Sequence, residues 1–190
     1  MEMEQNEPKT KQAERGRETL FRVSYQHQSK LIQIADYKAN MNISLSTMII
    51  SGIIAITGYG AVAGKIQDFS SSLFIPIGGI VLSCLISLIF AIQAARPKLI
   101  LSANSIDRSQ KSSLLFFGVI ASYSQSEYLE KIKAILSSEN EVYEHMTIDL
   151  YNQGKILKRK YNLLLYSYQV LMYGFVINVL IFLALLLTGL

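Results

Sequence analysis

Three stretches of the chain are almost wholly apolar: Met41–Val62, Leu73–Ala95 and Gln169–Leu187, none of which contains Asp, Glu, Lys or Arg. A helix that crosses a bilayer needs about 20 such residues, at roughly 1.5 Å each across a core of about 30 Å. Each block is about that long, and a domain this small could not wrap three of them as buried core helices. The pattern predicts three transmembrane helices. Between the blocks the apolar positions recur at helical spacing. Glu18 to Ala39 holds no Pro or Gly, and Phe21, Tyr25, Ile32, Ala35 and Ala39 share a face. Nothing interrupts this run before the first block, so one helix from about 18 to 62 is expected, reaching some 30 Å into the cytoplasm.

Arg96-Pro97 ends the second block, because proline disfavours helical backbone at the residue before it. Residues 98–123, with Leu114-Leu115-Phe116-Phe117-Gly118, fit a short helix or an extended segment. Ser124-Gln125-Ser126-Glu127 has the form of a capping box and predicts a helix from about 125 to 137. After Ser137-Ser138, the positions Val142, Met146, Leu150, Leu157, Tyr161, Leu164, Tyr168 and Leu171 predict a second long helix. It runs into the third block with Gly154 and Gly174 as its soft points. The fold class read from this is an all-α integral membrane protein, with long helices extending into the cytoplasm and a small helical cytoplasmic region. Its parts are a flexible tail over 1–17, a long helix and transmembrane hairpin over 18–95, with spans at about 41–62 and 73–95, a cytoplasmic helical region over 96–168, and a third span over 169–190.

Charge sets the orientation. Seven Lys and Arg precede the first block, ten lie between the second and third, and only Lys65 lies on the short 63–72 connection. Basic residues mark the cytoplasmic side, so the N-terminus and the 96–168 segment are expected there. Tyr37, Tyr59, Phe69, Phe74, Tyr166, Tyr168 and Tyr173 fall near the boundaries, as interfacial aromatics do. The opening Met1-Glu2-Met3-Glu4-Gln5 lacks the basic-then-apolar order of a secretory leader. With 51% hydrophobic and 17% charged residues, the composition agrees with a membrane protein. Topology accounts for the uneven placement of the net charge of +4, so it does not by itself indicate nucleic acid.

The candidate chemistry is sparse. The lone Cys84 excludes a disulfide framework, and His27 and His145 sit on different helices without a cysteine or acidic cluster nearby. No phosphate-cradling glycine loop, nucleophile elbow or zinc spacing occurs, so neither an enzyme nor a cofactor is expected. Two patterns stand out. At 100° per residue Asp36, Asn40, Ser44, Thr47 and Ser51, with Gln33, share an arc of about 80° that Ile54 and Gly58 continue. Such a stripe should not face lipid. Either it lets helices pack closely, or copies of it surround an aqueous path with Asp36 at the cytoplasmic mouth and Ile54 as an apolar constriction. Three spans cannot enclose a path alone, so a pore implies a homo-oligomer, taken as a tetramer. The second pattern is the basic run Lys155, Lys158, Arg159 and Lys160, with Lys131 and Lys133 nearby in sequence. It fits contact with anionic lipid, or a site for a nucleotide or short oligonucleotide on whose bases Tyr151 or Tyr161 could stack.

Four fragments carry a family resemblance. Ala35-Asp36-Tyr37-Lys38-Ala39-Asn40, leading into the first span, resembles the Ala-Asp-x-Lys-Ala-Asn segment of Pycsar-type transmembrane effectors. Ala94-Ala95-Arg96-Pro97-Lys98, Leu114-Leu115-Phe116-Phe117-Gly118 with the Glu127-Tyr128 helix, and Asp149-Leu150-Tyr151 leading to Lys160-Tyr161 follow in the same order. The resemblance implies an effector of bacterial antiphage defence in the inner membrane, paired with a cyclase or nucleotidyltransferase whose signal controls it. Related membrane effectors include that of Hailong, whose signal is an oligodeoxynucleotide. No cyclic-nucleotide-binding β-domain is recognisable, so the signal is expected on the helical cytoplasmic part. The resulting expectation is an oligomeric ion channel under nucleotide control; the alternative is a membrane-anchored scaffold that conducts nothing.

Overall fold

A computed structural model describes residues 7–64, 74–97, 113–115 and 117–188. Among these the elements are α1 (Glu7–Val62), α2 (Phe74–Ala95), α3 (Phe117–Ile120), α4 (Gln125–Leu136) and α5 (Glu139–Thr188), with no strand. Most of the predicted 63–72 connection, with Phe69, and residues 98–112 of the ambiguous stretch lie outside the described residues. Three helices are long and apolar enough to cross a membrane. The protein is an all-α membrane protein.

α1 starts at Glu7, eleven residues before the predicted start at 18. The helix ends as the sequence suggests. Gly64 takes φ +66°, the left-handed conformation that costs a glycine no Cβ clash, and its N–H bonds the Ala61 carbonyl at 3.3 Å. α2 closes with Arg96 N–H donating to the Ile92 carbonyl at 2.9 Å, just before Pro97. α4 carries both bonds of the capping box: the Glu127 N–H donates to Ser124 Oγ, and the Ser124 N–H donates to Glu127 Oε2 at 3.0 Å. Only Ser137 and Ser138 separate α4 from α5.

The described chain divides into two compact units. The first comprises Met1–Ile32 and Pro97–Lys158, and the second Gln33–Arg96 and Arg159–Leu190. In the first unit Arg17 meets Glu139 at 3.5 Å, and one turn on Phe21 stacks against Tyr143 with centroids 5.4 Å apart. The two helices therefore run in the same direction here. Ser113 fastens the short 113–115 segment to α5: its Oγ donates to the His145 carbonyl at 3.0 Å and accepts the Leu115 N–H at 3.2 Å.

In the second unit Ala35, Ala39, Ala94 and Leu164 form the buried core, backed by Tyr161 and Tyr168. Small residues let backbones approach closely, which matters in lipid, where apolar surface gains little from contact with another apolar surface. Here α1 and α5 again run the same way and α2 runs against both. Gly79 of α2 lies against Asn178 of α5, and Ser83, one turn later in α2, lies against Gly174, one turn earlier in α5. An up-down-up traverse has this arrangement of directions. Gly174, read from sequence as a soft point, is instead a position of close helix approach: a Cβ there would stand 2.4 Å from that of Ser83.

Candidate functional site

The part of α1 that enters the second unit has two polar faces. The first faces its neighbours. Asn42, Ser87 and Ser167 are all fully buried and tie α1, α2 and α5 together. Asn42 Nδ2 donates to Ser167 Oγ at 2.6 Å and to Ser87 Oγ at 3.1 Å. Ser87 Oγ lies 2.9 Å from the Ser167 carbonyl oxygen, and Ser167 Oγ lies 2.6 Å from that of Ser87. Sequence reasoning missed this knot. The signal was available in Ala35, Ala39, Asn42 and Ser46, spaced at four, three and four, which is a small-residue helix-packing stripe. All four are buried.

The second polar face is the predicted stripe, rotated from the first by roughly 120° at 3.6 residues per turn. Asn40, Ser44, Thr47, Ser51 and Ile54 are all exposed on the single chain. Thr47 turns its hydroxyl back to the Ile43 carbonyl at 2.8 Å. Among the described residues, packing within one chain does not use this face. Asp36 stands apart from the rest, because the Lys160 ammonium donates to its Oδ1. The Lys160 side chain is 12% exposed and that of Asp36 40%, so both members are partly withdrawn from solvent. The sequence assigned these two residues to separate sites, and the fold pairs them. Two turns further along α5, Tyr168 Oη donates to the Lys38 carbonyl at 3.1 Å.

Among the described residues, no contact gathers the remaining basic residues into one cluster. Lys155 covers its neighbour Tyr151 at 4.7 Å from the ring centroid, and Lys131 covers Tyr123 at 5.3 Å. Both are cation–π geometries. Lys133, Lys158 and Arg159 are exposed.

The first unit holds a cavity of about 460 Å³, which the sequence gave no reason to expect. Phe21, Arg22, Tyr25 and Gln26 of α1 line one side, and Met146, Asp149 and Leu150 of α5 with Leu115 line the other. Asp149 is 3% exposed. Its Oδ2 accepts from Gln153 Nε2 at 2.9 Å, while Oδ1 is buried without a partner. Burial pushes the Asp149 carboxyl above the usual carboxylate range, and the Gln153 amide opposes that shift. A buried acceptor without a partner is costly.

Comparison with known proteins bears on identity. No curated protein and no solved structure matches the chain. The PycTM family model, described as the Pycsar effector protein domain, matches residues 20–188, nearly the whole chain. That span contains the Ala35–Asn40 segment, the capped α4 and all three apolar helices' membrane-length portions. The chain therefore belongs to the Pycsar effector family and is a transmembrane effector protein of antiphage defence.

Proposed function

We propose that this protein is the subunit of a homo-oligomeric ion channel in the bacterial inner membrane, controlled by a nucleotide signal from a partner cyclase or nucleotidyltransferase. One observation carries the channel reading: Asn40, Ser44, Thr47 and Ser51 lie on the outside of the single chain, along a helix of membrane-spanning length. Hydroxyl and amide groups turned toward hydrocarbon are unfavourable, so in lipid this face meets further copies of the chain or water. Copies of α1 around a central axis supply both. Ile54, 62% exposed and further along the same face, provides an apolar ring that closes by dewetting. The mouth differs from the sequence reading. With Lys160 beside it, Asp36 contributes a neutralised pair rather than a ring of free carboxylates.

The charge bias of seven and ten basic residues against one supports a cytoplasmic N-terminus. The first unit then lies where a soluble signal reaches it. The protein acts by changing ion flux and not by catalysis. Purified protein in liposomes loaded with an ion-sensitive dye tests this. Ser51→Leu, which extends the apolar part of the path, should lower the flux, and Ile54→Asn, which wets the constriction, should raise it. Flux that is absent, or indifferent to both substitutions, rejects the channel and leaves a membrane-anchored scaffold.

A further inference from the structure

We propose that the cavity of the first unit receives a base of the controlling nucleotide, with Asp149 Oδ1 accepting from an amino group on that base. This rests on the reading that a nucleotide controls the protein. It moves the signal site away from the lysine-rich run and onto residues that carry no such charge pattern.

Three observations define the ligand's chemistry. The cavity, at about 460 Å³, falls within the range of small-molecule pockets, about 300–1,000 Å³. Its walls suit a flat ring. Phe21 is held in place by Tyr143 behind it, Tyr25 follows one turn later, and Met146 and Leu150 face them with polarizable and aliphatic surface. One residue of the lining carries an unpartnered acceptor: Asp149 is almost fully buried, Gln153 occupies Oδ2, and Oδ1 is buried without a partner. Arg22, exposed on the lining, supplies a cation for an anionic group outside the ring. A flat heterocycle with an amino group at one end satisfies all three, and a phosphate at the other end meets Arg22. An aliphatic amine would meet the carboxylate but waste the aromatic wall. A simple phosphate would meet Arg22 and be repelled by Asp149.

The geometry also fixes what a swap at Asp149 does. In Asp149→Asn the amide oxygen keeps the Gln153 bond, which places the NH₂ group where Oδ1 stood. The open acceptor becomes a donor, so preference moves from bases that present an amino group to bases that present a carbonyl. A residue with a merely structural role would not produce that exchange.

The test is a binding titration on full-length protein in detergent. The ligands are the cytidine, uridine, adenosine and guanosine 3′,5′-cyclic monophosphates and short homopolymeric deoxyoligonucleotides of each base. Wild type should bind a ligand whose base carries an amino group. Asp149→Asn should weaken that ligand by about 10–100-fold, the scale of a hydrogen bond to a charged group, and strengthen the carbonyl-bearing counterpart. Tyr25→Ala, at an exposed position that does not threaten the fold, should weaken binding of every base by about tenfold or more through lost stacking. The triple variant Lys155→Ala, Lys158→Ala, Arg159→Ala should retain base preference. Wild-type binding that both Asp149→Asn and Tyr25→Ala leave unchanged overturns this site and leaves nucleotide control standing. Binding abolished by the triple variant alone does the same. If wild type binds none of the ligands, nucleotide control falls and this site with it.

Discussion

Lys160 of α5 donates its ammonium to the Asp36 carboxylate of α1, 124 residues away in sequence, where the two helices enter the second unit. Removing either partner leaves the other charge partly withdrawn from water. The cost should lie between the exposed and buried limits, about 1–3 kcal/mol. Lys160→Met should cost the protein that much in detergent unfolding, and Asp36→Asn with Lys160→Met should recover a large part of it. A double-mutant cycle with no coupling would show that the pair is incidental.

Asn42 makes one side chain serve three helices. Asn42→Leu removes both of its bonds, while Ser87 and Ser167 keep each other. Interhelical hydrogen bonds in bilayers are worth about 0.6 kcal/mol on average and up to about 1.7. The expected loss is therefore about 1–3 kcal/mol, read by unfolding in mixed micelles, with Ser44→Ala on the outward face as the control that changes little.

Gly174 admits Ser83 of α2 so closely that a methyl group in its place would overlap the serine Cβ, which no rotation can move. Gly174→Ala should force α2 and α5 apart and cost about 1–3 kcal/mol, as overpacking does. Gly52→Ala and Gly58→Ala meet nothing within 4 Å on the single chain. Those two variants should leave subunit stability unchanged when measured on monomer in harsh detergent. Cross-linking in mild detergent then reports whether the stripe that Gly58 continues packs against further copies.

The capping box of α4 gives a pH-dependent helix end. Its bonds to Ser124 hold the Glu127 carboxyl below its ordinary 4.5. A lowered acid contributes stability that is complete above the unfolded value and is lost as pH falls through the folded one. Protection of the first-turn amides of α4 from hydrogen exchange should therefore decline below about pH 4.5. Glu127→Gln should keep the cap and abolish that decline. Ser124→Ala should cost about 1 kcal/mol near neutral pH and less once Glu127 is protonated.

Local composition alone set the three spans, their turning points and the capped α4. A run without charge is apolar wherever it ends up, Gly64 and Pro97 stop helices through their own backbones, and Ser124 reaches Glu127 within one turn. The sequence also picked out the Asn40–Ser51 stripe, since helical periodicity places those residues on one face whatever the fold does. The tertiary structure decided which of the two polar faces of α1 the chain keeps for itself. Asn42 and Ser46 continue the small-residue stripe of Ala35 and Ala39, but only the packing of α2 and α5 made that face, and not the one with Ser44 and Thr47, the buried one. Pairing across 124 residues decided that Asp36 and Lys160 neutralise each other. The same holds for the cavity, because Asp149 has an open oxygen only once burial removes water and Gln153 takes the other. Long-range contact sets which polar groups are satisfied, and no periodicity within one helix contains that information.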